Sequence, residues 1–252
     1  MVMRVEGESG RLVVASTMSF TIYLGQFMRT PIVPLFAEEL GATIVEVGLV
    51  TTAFMVVAAA LAIPLGITSD RLGRRRLVIA GSLLSTAAPF LLTLTKSPAT
   101  VILVSAFGGF GSAAYSPAMT AFVGDVSKSD RRGKSYGYYT TAMQTAMALG
   151  PGLGGLVADL VGYHYTFIIS GLLIMVGTAV GILFFPGGEN RSATHPDATP
   201  HGLLSMLRER NLLRCWIATF CISFMWGAAS AFLAIYARGV GLIATEIGLL
   251  FT

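Results

Sequence analysis

The chain has 252 residues, of which 54% are hydrophobic and only 12% charged, with a mean hydropathy of +0.73. A soluble domain carries about a quarter charged residues, so the composition excludes one and points to a membrane protein. The net charge of +4 does not mark a nucleic-acid binder. The basic residues sit in short gaps between apolar runs, with no stripe of interleaved aromatics.

About 20 apolar residues cross a ~30 Å hydrocarbon core. The first such run, Leu12–Leu35, is too long for a signal-peptide core and has no A-x-A site, so it reads as a retained spanning helix. It bears a polar stripe, Ser19, Tyr23, Gln26 and Arg29/Thr30, at helical steps of three and four. Charges inside spans are rare and usually face a cavity, which makes Arg29 a cavity candidate. The competing reading is that it snorkels to the interface. Pro31 and Pro34 should leave the carbonyls of Phe27 and Thr30 without their usual donors, bending the helix.

Span 2, Ile44–Ile67, runs into Gly66-Ile-Thr-Ser-Asp70-Arg71-Leu-Gly73-Arg74-Arg75-Arg76, with five charges in seven positions. Inside hydrocarbon these would be ruinous, so a tight turn on an aqueous face is expected. Span 3 covers Leu77–Thr95. Span 4, Thr100–Gly124, combines small residues with the stripe Ser112, Tyr115, Ser116 and Met119, and is followed at once by Asp125.

Span 5, Ser135–Val161, has the stripe Tyr136, Thr140, Gln144 and Met147, then Gly150-Pro151-Gly152-Leu153-Gly154-Gly155. Small residues at this density let backbones approach closely, and the proline bends the helix. Span 6, Tyr165–Phe185, is nearly all apolar and should face lipid. Pro186–Asn211 reads first as a flexible linker and then, at Leu203–Arg210, as a short amphipathic surface helix. Span 7, Cys215–Ala237, holds Trp226 and both cysteines, Cys215 and Cys221, which lack metal spacing and read as packing residues. An eighth run begins near Ala244.

Basic residues set the orientation. With span 1 entering from the cytoplasm, fourteen Lys and Arg fall in cytoplasmic segments and only Lys96 and Arg238 outside. The chain also repeats itself: Gly41, Glu46, Gly48 and Leu49 recur as Gly241, Glu246, Gly248 and Leu249, each displaced by 200 residues. Six spans, a linker and a restart are the pattern of a parallel internal repeat.

The Gly66–Arg76 stretch fills every fixed position of G-x-x-x-D-R-x-G-R-R-R/K and so resembles the signature loop of the major facilitator superfamily. The resemblance implies an all-α membrane fold. It would have a six-span bundle at 1–187, a cytoplasmic linker at 188–211, and the start of a truncated second bundle at 212–252. It implies a conformational-switch motif of Gly66, Asp70, Arg71, Gly73, Arg74 and Asp125. In it Asp70 meets a helix end of the other half and Arg74 pairs with Asp125. Gly150, Pro151, Gly154 and Gly155 resemble the family's G-x-x-x-G-P-x-x-G-G exporter motif, with Ala146 in place of its first glycine. In span 4, Ser105 stands where the family's drug exporters often place an Arg. No carboxylate lies mid-membrane in spans 1 to 7, so no proton carrier is visible.

The functional expectation is a secondary active transporter of small organic molecules in the cell membrane, multi-pass, with its N-terminus in the cytoplasm. It would be an exporter working by alternating access through ion-coupled exchange. The candidate substrate cavity comprises Tyr23, Gln26, Arg29, Tyr115 and Gln144. Expected partners are the substrate, protons or another coupling ion, the lipid bilayer and a missing C-terminal half; nucleic acid is not expected. An importer or uniporter of a small metabolite, or a non-transporting membrane sensor, stays open. No catalytic cluster, cofactor site or metal site is read, so the chain is not expected to be an enzyme.

A lone bundle would set polar cavity residues against lipid, at several kcal/mol each. The 252-residue chain is therefore expected to be part of a protein of about twelve spans. Purified alone and reconstituted, it should show no transport; measurable transport would contradict this.

Overall fold

The computed structural model describes residues 7–185 and 210–252; side chains at several positions of the 210–239 helix are also outside the described set. Among the described residues there are helices and turns and no strand. The helices are α1 (Glu8–Met28), α2 (Ile32–Glu39), α3 (Ile44–Leu72), α4 (Arg74–Leu92), α5 (Pro98–Val126), α6 (Arg132–Val161), α7 (Tyr163–Phe184), α8 (Arg210–Gly239) and α9 (Ala244–Leu249). Four of them, α3, α4, α5 and α7, are long and apolar enough to cross a membrane. The surface helix expected at Leu203–Arg210 and the side chain of Trp226 lie outside the described residues. Cys221 is a free, exposed cysteine.

Two boundaries differ from the sequence reading. Leu12–Leu35 is not one helix: α1 stops at Met28 and α2 starts after Pro31. The Phe27 carbonyl is not stranded either, because the Thr30 N–H donates to it at 3.0 Å. The Arg29 carbonyl takes the next two donors, Ile32 at 3.1 Å and Val33 at 2.9 Å. A tightened turn thus absorbs the proline that would otherwise leave a gap in the ladder.

The second difference is the charged stretch, which is hardly a loop. Helix α3 carries on through Asp70 and Arg71 to Leu72, and Gly73 alone separates it from α4. Gly73 has φ 95°, a conformation that side chains other than glycine rarely adopt. The charges are solvated on helix ends instead of on a flexible turn.

In the bundle α5 packs against α3 and α4, α1 packs against α6 and α7, and α4 against α7 joins the two groups. One buried cluster, including Met18, Ile22, Tyr115, Met119 and Phe122, fills the centre. A second lies toward the end remote from the arginines and joins Ile32, Phe36 and Phe167 to Ala237, Ala244 and Ile247 of the second repeat. There the Phe36 and Phe167 rings meet edge to face, with centroids 5.1 Å apart.

Helix α4 meets α5 through glycine. A Cβ on Gly81 would stand 2.5 Å from the Tyr115 backbone nitrogen, and one on Gly111 2.8 Å from that of Ser85. Neither neighbour can yield without moving a helix. Gly81→Val is expected to cost about 1–3 kcal/mol, read as a lowered thermal midpoint in detergent. An unchanged midpoint would contradict this contact.

Candidate functional site

At the arginine-rich end the short break at Gly73 brings the last turn of α3 against the first turn of α4. Arg74 reaches back to form an ion pair with Asp70 and across to Asp125, with Nε 3.0 Å from Oδ2. Asp125 sits one residue from the end of α5, so one guanidinium ties three helices together. Arg75 donates to the Ile182 carbonyl of α7 at 3.2 Å. Arg71 is exposed, and Gly66 is half-buried on α3 with nothing within 4 Å of a Cβ placed there.

The small residues of α6 face two ways. A Cβ on Gly150 would come 2.7 Å from Phe27 Cβ. On Gly154 it would collide with the Met28 carbonyl oxygen; both contacts are to α1. On the other face, a Cβ on Gly155 would collide with the Ala244 carbonyl oxygen of α9. Gly248 of α9 in turn has no room beside the Pro151 carbonyl oxygen. Pro151 and Ala146 are buried. Helix α6 is therefore clasped by α1 and α9 over its far half.

Its arginine-side half buries Tyr139 and Ala146 in the central cluster and leaves the opposite face exposed. Thr140, Thr141, Gln144, Thr145 and Leu149 line an open groove of about 610 Å³, a surface without charge. Of the other cavity candidates, Tyr23 and Tyr115 come together inside the bundle. Their ring centroids are 6.0 Å apart at 67°. Tyr115 bonds Ser19 at 2.8 Å and Tyr23 donates to Ser116 at 3.1 Å. They join α1 to α5 and are closed off from the Gln144 groove, since both are buried. Gln26 is half-buried. Arg29, at the α1–α2 break, is half-buried, and its Nε is enclosed without a hydrogen-bond partner.

Sequence reasoning missed two features. Thr141 and Thr145 flank Gln144 on the groove, and their four-residue spacing was the available signal. Asp159, on the last turn of α6, accepts hydrogen bonds from the start of α9. The signal for it was an apolar residue, Ile243, where a helix cap is wanted. Among the described residues no group of three or more His, Cys, Asp or Glu could hold a metal ion.

An arginine-tied bundle with four membrane-length helices and an uncharged groove defines a multi-pass membrane-protein scaffold. Comparison with known proteins places it more narrowly. The sequence model of the Major Facilitator Superfamily matches residues 15–252, and the chain belongs to that family of membrane transporters, which are not enzymes. It is 24% identical over 217 residues to the quinolone resistance protein NorA of Staphylococcus aureus, covering 86% of this chain and 56% of the relative. It is 24% identical over 237 residues to an uncharacterized MFS-type transporter, MJ1560, of Methanocaldococcus jannaschii, covering 91% of this chain and 61% of that one. The fold is similar to that of a bacterial homolog of the human lysosomal transporter Spinster, solved inward-facing and unoccupied. The TM-score is 0.77 at 15% identity, over 96% of this chain and 58% of that one. The chain thus spans little more than half the length of these relatives.

The Arg74 side chain is 27% exposed and that of Asp125 47%. Ion pairs this wet contribute about 0–1 kcal/mol to stability. Asp125→Asn is therefore expected to leave the thermal midpoint nearly unchanged; a loss above ~2 kcal/mol would contradict this solvated reading.

Proposed function

We propose that this chain forms the first bundle, and the start of the second, of a secondary active transporter that exports small organic molecules by ion-coupled exchange. The observation that carries the reading is the division of α6. Its glycine-rich half is clasped by α1 and α9, and its threonine-lined half opens into the groove. Alternating access requires such a scaffold, closed at one end and open at the other, with bundles that rock about a central site. A groove offering hydroxyl and amide groups and apolar surface suits uncharged or amphipathic molecules of drug size. The similarity to a protein named for quinolone resistance supports that class of cargo. A second bundle would face the groove, and protons or another ion would supply the driving force.

The excess of Lys and Arg in the segments read from the sequence as cytoplasmic, fourteen against two, supports a cytoplasmic N-terminus in the cell membrane, with the groove open to the cytoplasm. In this setting Asp70, Arg74 and Asp125 act as a switch. Tied as they are to three helices, they favour one arrangement of the bundle. A bias of about 0–1 kcal/mol, the scale of ion pairs this exposed, is enough to tilt the balance between two states of similar population.

The test is accumulation of a fluorescent amphipathic dye in inside-out membrane vesicles carrying the whole transporter, this chain together with the second bundle that would face its groove. Accumulation that needs an imposed proton or ion gradient is expected; gradient-independent equilibration would instead indicate a uniporter. The partnerless Nε of Arg29 favours an anionic metabolite as the rival cargo, and competition by small carboxylates but not by the dye would select that reading. Asp70→Asn is expected to slow turnover about tenfold, ~1.4 kcal/mol in the barrier, while dye affinity stays within about twofold. Loss of affinity with unchanged turnover would contradict the switch role.

A further inference from the structure

The repeat displaced by 200 residues places the same turn before α3 and α9. Gly41 and Gly241 have φ 86° and 92°. The N–H of Ala42 donates to Ala37 at 3.0 Å, and that of Leu242 to Ala237 at 3.1 Å. In each copy a glutamate reaches back to the backbone N–H three residues earlier. Glu46 takes that of Thr43 at 2.8 Å and Glu246 that of Ile243 at 3.0 Å.

The copies part at the helix cap. In the first, the Thr43 hydroxyl accepts the Glu46 N–H at 3.3 Å, so α3 is capped from within its own segment. In the second, Ile243 has no acceptor to offer. The open donors of α9 turn to Asp159 instead. Ala244 N–H donates to Oδ1 at 3.1 Å, Thr245 N–H to Oδ2 at 2.7 Å, and the Thr245 hydroxyl to Oδ2 at 2.6 Å. Asp159 belongs to α6, so the cap of a second-repeat helix is supplied by the first bundle. A carboxylate also suits the partial positive charge at a helix N-terminus. Beside it lie the Gly155–Ala244 backbone contact and a bond from Arg238 to the Tyr163 hydroxyl at 2.9 Å.

We propose that Asp159 is a latch holding the outer end of the carrier shut: separating α6 from α9 breaks three hydrogen bonds and leaves α9 without a cap. A helix that carried its own cap could part from its neighbour without that loss. The substitution of Ile243 for a capping residue therefore couples the integrity of α9 to closure. This inference rests on the alternating-access reading, which requires the two helices to separate during the cycle.

The test places spin labels at Leu160 and Val240, exposed at 72% and 61%, in the whole transporter with both bundles, in lipid nanodiscs, and reads the distribution of separations. Asp159→Ala is expected to lower the ratio of short to long separations about 5- to 30-fold, the equivalent of ~1–2 kcal/mol for a lost cap. Adding Ile243→Thr to Asp159→Ala gives α9 its own cap. The double variant should regain thermal stability while its separations stay long. If instead it regains the original ratio, Asp159 is only a helix cap and the latch is overturned. If the unsubstituted chain shows both separations and Asp159→Ala leaves their ratio unchanged, the latch fails while alternating access stands. If no variant ever shows the long separation, with or without transported dye, alternating access itself fails and the latch with it.

Discussion

Two helices in hydrocarbon gain little by hiding apolar side chains from one another, because the lipid is as apolar as they are. What holds them is how closely their backbones can approach. Here that constraint falls most heavily on Gly150, Gly154 and Gly155 of α6, where the α1 and α9 chains occupy the space that side chains would need. Much else in the far half follows from it. The α1 backbone is turned at Met28–Pro31 beside the seam, and the Phe36–Phe167 cluster completes the seal. Farther along the same helix Thr140, Thr141, Gln144 and Thr145 are exposed and line the groove.

The arginine-rich end uses a different interaction. Three helices converge on one guanidinium, and the exposure of the group keeps its contribution to stability small. A contact that is weak in stability but sensitive to geometry can be exchanged during a cycle; a desolvated ion pair of the kind that costs several kcal/mol to break could not. Seam and charge cluster therefore differ in kind: one fixes how closely the helices approach, and the other ties three helix ends with little effect on stability.

Much of this was legible in the sequence where a residue type has few physical uses. Gly73 between charges, Asp125 at the end of an apolar run and the glycine run of span 5 each point to one kind of contact, and the structure places them at a helix break, beside Arg74 and in a packed seam. The break within Leu12–Leu35 was visible only as a bend, because proline spacing does not reveal whether a tightened turn will recover the lost donors. Tyr23 and Tyr115 read as polar stripe residues on separate helices. That their hydroxyls turn to Ser116 and Ser19 inside the bundle depends on how α1 and α5 are rotated, which hydropathy does not encode. Asp159 was hidden for a related reason. Its partners are backbone donors, and a backbone donor has no sequence signature beyond the missing cap at Ile243.

Solvent access along α6 tests the division of that helix most directly. With Cys215 and Cys221 replaced by Ser, single cysteines at Thr145 in the groove and at Gly152 in the seam can be titrated with a membrane-impermeant maleimide in inside-out vesicles and in intact cells. Rapid labelling of Thr145→Cys only in inside-out vesicles, with Gly152→Cys protected in both, is the expected result. Labelling of Thr145→Cys only from the outside, or equal labelling of both positions, would contradict a carrier closed at its glycine seam and open at its arginine-rich end.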